Sequence, residues 1–164
     1  DELFETYILA AVKSSGALPE NPQGVAQLTS QVQAVAQSQA RTVPPLPAIA
    51  EQISGRKYVL GSNSLGLEAF TFYFSEDEAR IRLFMGGTSQ ELTIGLDNIY
   101  RTNPVSSPLK GFLALKGSWQ GEGFNLSGIS NSGVMYYLHF SFNTDRVVID
   151  NYGLSGEHEV IHGT

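Results

Sequence analysis

Cysteine is absent from this chain of 164 residues, so neither a disulfide nor thiolate chemistry is available to it. That absence suits an exported protein and a cytosolic one equally. Positive charge is scarce. Ten Lys and Arg stand against sixteen Asp and Glu, a formal net charge of −6, with the acidic residues scattered rather than run together. Nucleic acid and anionic membrane surfaces both demand concentrated cations, so neither is expected as a partner. Long hydrophobic runs are missing too. None approaches the ~18 apolar residues of a membrane-spanning helix. There is no basic leader before an apolar stretch, and Asp1 rather than Met opens the chain. The expectation is a mature product or an excised portion of something longer.

What is present is glycine and aromatic side chains. Seventeen Gly, nine Phe and seven Tyr lean the composition toward β structure with many turns. Apolar residues make up 41% of the chain, enough for an ordinary core.

Two periodicities divide the chain. Leu3, Phe4, Tyr7, Ile8, Ala11 and Val12 form one helical stripe, with Gly16 as its stop. Asn21 then suits an N-cap and Pro22 a first helical position. Val25, Leu28, Val32 and Val35 predict an amphipathic helix over residues 22–39. The stretch "TVPPLP" reads as an extended linker, followed by a short helix over 48–54 closed by Gly55. From Lys57 the period becomes two. Phe70, Phe72 and Phe74 alternate with Thr71 and Tyr73; Ile81 and Leu83 with Arg80 and Arg82. Leu92, Ile94 and Leu96 continue the pattern, as do Leu113, Leu115 and Trp119, then Phe124 and Leu126. Tyr136, Leu138, Phe140 and Phe142 are followed by Val147 and Ile149. Turn sequences such as "GSNSLG", "SEDEA", "QGEG" and "SNSG" separate these runs. The fold class expected is mainly β: an antiparallel meander of about eight strands closing into a small barrel, preceded by two to three helices. Residues 1–45 would be a helical segment with a Pro-rich linker, and 46–164 the barrel. The many inward aromatics predict a filled interior.

The chain offers several catalytic look-alikes. Ser54, Gly55, Arg56 and Lys57 spell Ser-x-x-Lys, the nucleophile spacing of penicillin-recognising serine hydrolases. That chemistry needs the serine at a helix N-terminus and the lysine one turn on. Ser54 instead falls at a helix C-terminus and Lys57 at the start of a strand, so the reading is a capping serine and a surface lysine. The terminal "HGT" has Gly and Thr in the wrong order for the partner element of those enzymes, and Tyr100 and Asn103 are spaced three apart instead of two. His158 and His162 have metal-like spacing, but on a strand they would lie about 13 Å apart, too far for one ion. His139 is expected to face outward and be solvated, Glu122 to sit in a turn, and Trp119 to plug the core. "NLS" at Asn125 is a formal glycosylation sequon. No catalytic, cofactor-binding or metal-binding residue is assigned, and no cofactor is expected.

One resemblance spans nearly the whole chain. "LFETYILAAV", "ALPENPQGVAQLTSQVQAVA" and "VPPLP" stand in that order, followed by "ISGRKYVLGSNSLGLEAFTFYF", "LTIGLDNIYR" and "KGSWQGEGFNL". The arrangement resembles the C-terminal extension of bacterial β-lactamase-related, penicillin-binding-protein-like serine hydrolases. That resemblance implies a lipocalin-like barrel following a hydrolase domain that holds the nucleophile, lysine and tyrosine; no residue here matches them. It implies a non-catalytic accessory domain packed on, modulating or associating an upstream catalytic domain of the same polypeptide, with self-association through the N-terminal helices. The parent would be the enzyme, and a periplasmic or secreted location is favoured over a cytoplasmic one. The alternative expectation is a barrel that binds a small apolar ligand, as lipocalins do.

Overall fold

Phe70, Phe72 and Phe74 all turn inward from one strand, and the sheet built around them is, among the described residues, a meander of ten strands. The computed structural model describes residues 20–36, 40–106, 111–143, 145–153 and 156–164. The chain divides into two units, residues 1–38 and 39–164. In the first, α1 (Pro22–Ala36) begins where the sequence places it. The Asn21 side chain accepts the Gly24 N–H at 2.9 Å, which caps the helix. The stripe read over residues 3–12 lies outside the described residues.

The second unit opens with α2 (Ala48–Ile53), which buries Ala50 and Ile53. The strands follow: β1 (Lys57–Val59), β2 (Ala69–Phe74), β3 (Glu78–Met85), β4 (Thr88–Gly95), β5 (Arg101–Val105), β6 (Gly111–Gln120), β7 (Gly123–Ser130), β8 (Met135–Asn143), β9 (Arg146–Tyr152) and β10 (His158–Gly163). Consecutive strands pair antiparallel from β1 to β4 and from β5 to β10. The first and last strands then meet. Val59 and Thr164 exchange both backbone hydrogen bonds, at 2.8 and 3.0 Å, and Leu60 bridges Gly163. Each edge therefore covers the other, which removes the exposed edges an open sheet would carry.

The register sorts side chains by face. Ile81 lies opposite Leu92, and Phe140 opposite Ile149, all four buried. Arg80 and Arg82 on the outer face both pair with Glu91 across the strand, at 3.1 and 2.9 Å. Strand β5 was not legible as a strand: "RTNPV" carries a proline and no apolar alternation. It is held by pairing to β6 and by a side-chain splice to β4 centred on Asn103. At its start, Arg101 pairs with Asp97 at 3.1 Å and Glu78 at 3.3 Å. These hydrogen bonds and the positive charge hold the Asp97 carboxyl below the usual aspartate range.

The core is segregated along the barrel. Because strands alternate in direction, Phe74 at the end of β2, Trp119 at the end of β6, Phe124 at the start of β7 and Phe142 at the end of β8 all arrive at one end. There they pack with ring centroids 4.9 Å apart for Phe74–Trp119, 5.2 Å for Phe74–Phe124 and 5.1 Å for Trp119–Phe124. The close approach of Phe124 depends on Gly117. A Cβ there would stand 2.3 Å from the Phe124 ring. Trp119 is thus a core plug, as expected.

Candidate functional site

The other half of the barrel is not filled. From β3, β4, β6, β7 and β8 the inward positions there are mostly aliphatic, Leu83 and Met85, Leu92, Leu113 and Leu115, Leu126, Leu138, joined by Tyr136 and Phe140 from β8. They surround a cavity of about 250 Å³. The expectation of a wholly filled interior holds only for the aromatic half. Part of the signal was in the chain: on β8 Leu138 precedes Phe140 and Phe142, and on β6 Leu113 and Leu115 precede Trp119, so aliphatic positions give way to aromatic ones toward the same end. Gly128 takes an inward position on β7, where Leu115 packs close against it: a Cβ there would stand 3.0 Å from Leu115 Cδ2.

The mouth lies where β3 turns into β4 and β7 into β8. Ser130, Asn131 and Ser132 line it on the β7–β8 side, with the Ser130 and Ser132 hydroxyls 2.8 Å apart. The loop between β1 and β2 lies against it and turns Leu65 and Leu67 toward the cavity. This loop is internally braced. The Asn63 amide donates to the Gly61 and Leu67 carbonyls, both at 2.8 Å, and its oxygen accepts the Leu67 N–H at 3.1 Å. Its side-chain tie to the last strand is Glu159, whose carboxylate accepts the Ser64 N–H at 2.9 Å and the Ser64 hydroxyl. These donors lower the Glu159 pKa.

The residues singled out by motif lie elsewhere. Ser54 is the C-cap of α2, and its hydroxyl oxygen accepts the Phe74 N–H at 3.1 Å. Lys57 holds its ammonium 4.1 Å from the centre of the Phe84 ring on the outer surface. His139 faces outward but is half-buried rather than solvated, with a 2.7 Å hydrogen bond to Asn125. His158 bonds Asp150 at 2.8 Å and stacks on Tyr152. Among the described residues, no group of three or more His, Asp or Glu side chains has the geometry to hold a metal ion. No described helix is long and apolar enough to cross a membrane.

No family model and no curated protein sequence matches the chain. Solved structures do. A fatty acid-binding protein of Drosophila melanogaster brain superimposes with a TM-score of 0.53 at 8% identity, over 68% of this chain and 98% of its own. A fatty-acid-binding protein isolated from Manduca sexta gives 0.51 at 11% identity, over 68% and 96%. At such identities the likeness is one of fold: a small up-and-down β-barrel. The resemblance to β-lactamase-related C-terminal domains is corrected by these findings, which favour the alternative reading of an apolar-ligand-binding barrel over the accessory-domain reading. The motifs that carried it are explained by barrel construction. In "ISG", Ile53 is core and Ser54 a cap; in "NSLGL", Asn63 braces a loop and Leu65 and Leu67 face the cavity; in "GSW", Gly117 makes room for a ring. Spaced glycines and aromatics of this kind are demanded by packing and do not mark a hydrolase lineage.

Proposed function

We propose that this chain binds a small apolar molecule inside the barrel. The observation that carries the reading is the cavity of about 250 Å³ walled by leucines, in a core whose other half is packed solid with aromatic rings. Ligand pockets of soluble proteins are concave, mostly apolar and largely preformed, and this one has that character. Its size suits a slender molecule. Each methylene moved from water into such a lining contributes about 0.8 kcal/mol. The fatty-acid-binding proteins with the same fold support the reading by analogy, since fold by itself does not confer function.

The test uses 1-aminoanthracene, a small uncharged fluorophore. Its emission should rise on titration with the full chain and saturate at one site. Leu113→Trp places an indole in the cavity and should abolish the rise, while thermal unfolding stays cooperative. A probe that stays dark with the parent chain, or that binds the Trp variant equally well, would overturn the proposal.

A further inference from the structure

The cavity's chemistry narrows the ligand class. The inference rests on the binding reading above and goes beyond it, because it concerns which head group the site accepts.

The depth of the cavity is hydrocarbon throughout. None of the described Lys, Arg, Asp or Glu side chains lines it; the polar atoms on its wall come from Ser130, Asn131, Ser132 and Tyr136. Several of the described cations of the barrel wall are engaged on other surfaces. Arg56 pairs with Asp145, Arg80 and Arg82 with Glu91, and Arg101 with Asp97 and Glu78. Lys116 donates to Asn98 at 2.9 Å. Carboxylates are set about the mouth instead. Glu159 holds Ser64 of the adjoining loop, and Glu68 accepts the Gly87 N–H of the β3–β4 turn at 3.4 Å.

Burying an ionised head group without a counter-charge is costly, so such a group shifts its pKa or stays in water. A carboxylate entering here would lose hydration, meet no described cation on the wall and pass negative charge at the rim. A hydroxyl or amide loses less hydration and carries no charge to compensate. It can exchange hydrogen bonds with the Ser130 and Ser132 hydroxyls while its chain lies among the leucines. We infer that the natural ligand is an uncharged amphiphile: a slender apolar chain ending in a neutral hydrogen-bonding group, seated with that group at the Ser130–Ser132 rim.

Competition against bound 1-aminoanthracene at neutral pH tests this with three chain-matched molecules: decanol, decanoic acid and decylamine. Decanol should displace the probe at a concentration about tenfold or more below that of either ion, the scale expected for a poorly compensated charge. Replacing both hydroxyls, Ser130→Ala with Ser132→Ala, should lower the affinity for decanol relative to the probe by about threefold to tenfold, as for a lost neutral hydrogen bond. Decanoate competing as well as decanol would overturn the inference and leave the barrel a binder of anions. Decylamine competing best would overturn it in favour of recognition by the mouth carboxylates. Either result leaves the binding reading intact, whereas a probe that never binds takes down both.

Discussion

The side-chain amide of Asn103 pairs with the backbone of Thr93 as one peptide unit pairs with another. Its oxygen accepts the Thr93 N–H at 2.7 Å, and its nitrogen donates to the Thr93 carbonyl at 2.9 Å. The same nitrogen donates to the Arg101 and Leu113 carbonyls at 2.9 and 3.2 Å. Among the described residues β5 has ladder pairing with β6 and none with β4, so this one buried side chain splices the seam between β4 and β5. Gln90 extends the splice, donating to the Pro104 carbonyl at 2.7 Å.

Removing the splice strands buried backbone groups, and an unsatisfied buried donor or acceptor costs about 1–3 kcal/mol. Asn103→Ala should therefore destabilise the barrel by about 2–4 kcal/mol in urea unfolding, more than its lost volume explains. The Thr93 amide should lose hydrogen-exchange protection beyond that general loss, because its acceptor is gone. A Thr93 amide as protected in the variant as the new global stability allows would show that the seam closes by another route.

This seam also marks where the sequence stops being readable. Phe70, Ile81, Leu92, Leu126 and Phe140 announce their strands because an inward face must be apolar at every second position. Asn103 announces nothing, since an asparagine beside a proline ordinarily means a turn. Its role exists only once β4 and β6 are placed on either side of it. The cavity was half-legible. Single strands show leucines giving way to aromatics, as Leu138 does to Phe140 and Phe142, but which ends meet follows from strand direction. The mouth was not legible, because Ser64 and Glu159 lie far apart in the chain and nothing in the turn sequence around Ser64 points to a carboxylate 95 residues on.

Gly117 and Phe124 form a second cross-strand dependence, one that a variant pair can isolate. A methyl at Gly117 would overlap the Phe124 ring at 2.3 Å and crowd Ile94 Cγ2 at 3.1 Å. Overpacking of this kind costs about 1–3 kcal/mol. Gly117→Ala should fall in that range, and Phe124→Leu should be destabilising alone by loss of ring packing. Together they should cost less than their sum, because the smaller side chain relieves the overlap. Strict additivity in chemical denaturation would mean that the Gly117 site relaxes independently of the ring.

The Glu159–Ser64 tie sets the last expectation, concerning exchange of ligand past the β1–β2 loop. Asn63 stiffens that loop internally, so the loop should move as a body about its attachments, with Leu65 and Leu67 carried off the cavity together. What restrains it on the far side is an ionised carboxylate accepting two Ser64 donors. The sign follows from the lowered pKa. A carboxyl depressed in the folded state contributes its tie above the ordinary glutamate value of about 4.3, and loses it as pH falls through the lower folded value. Dissociation of 1-aminoanthracene, followed by stopped-flow fluorescence, should be slow and flat in pH above about 4.3 and accelerate below it. Glu159→Gln keeps the shape but weakens the acceptor, so it should release the probe several-fold faster at neutral pH and flatten the acid limb. Circular dichroism of the same samples separates loop opening from acid unfolding. An unchanged release rate in Glu159→Gln, with the barrel intact, would mean that the molecule enters and leaves by a path this loop does not guard.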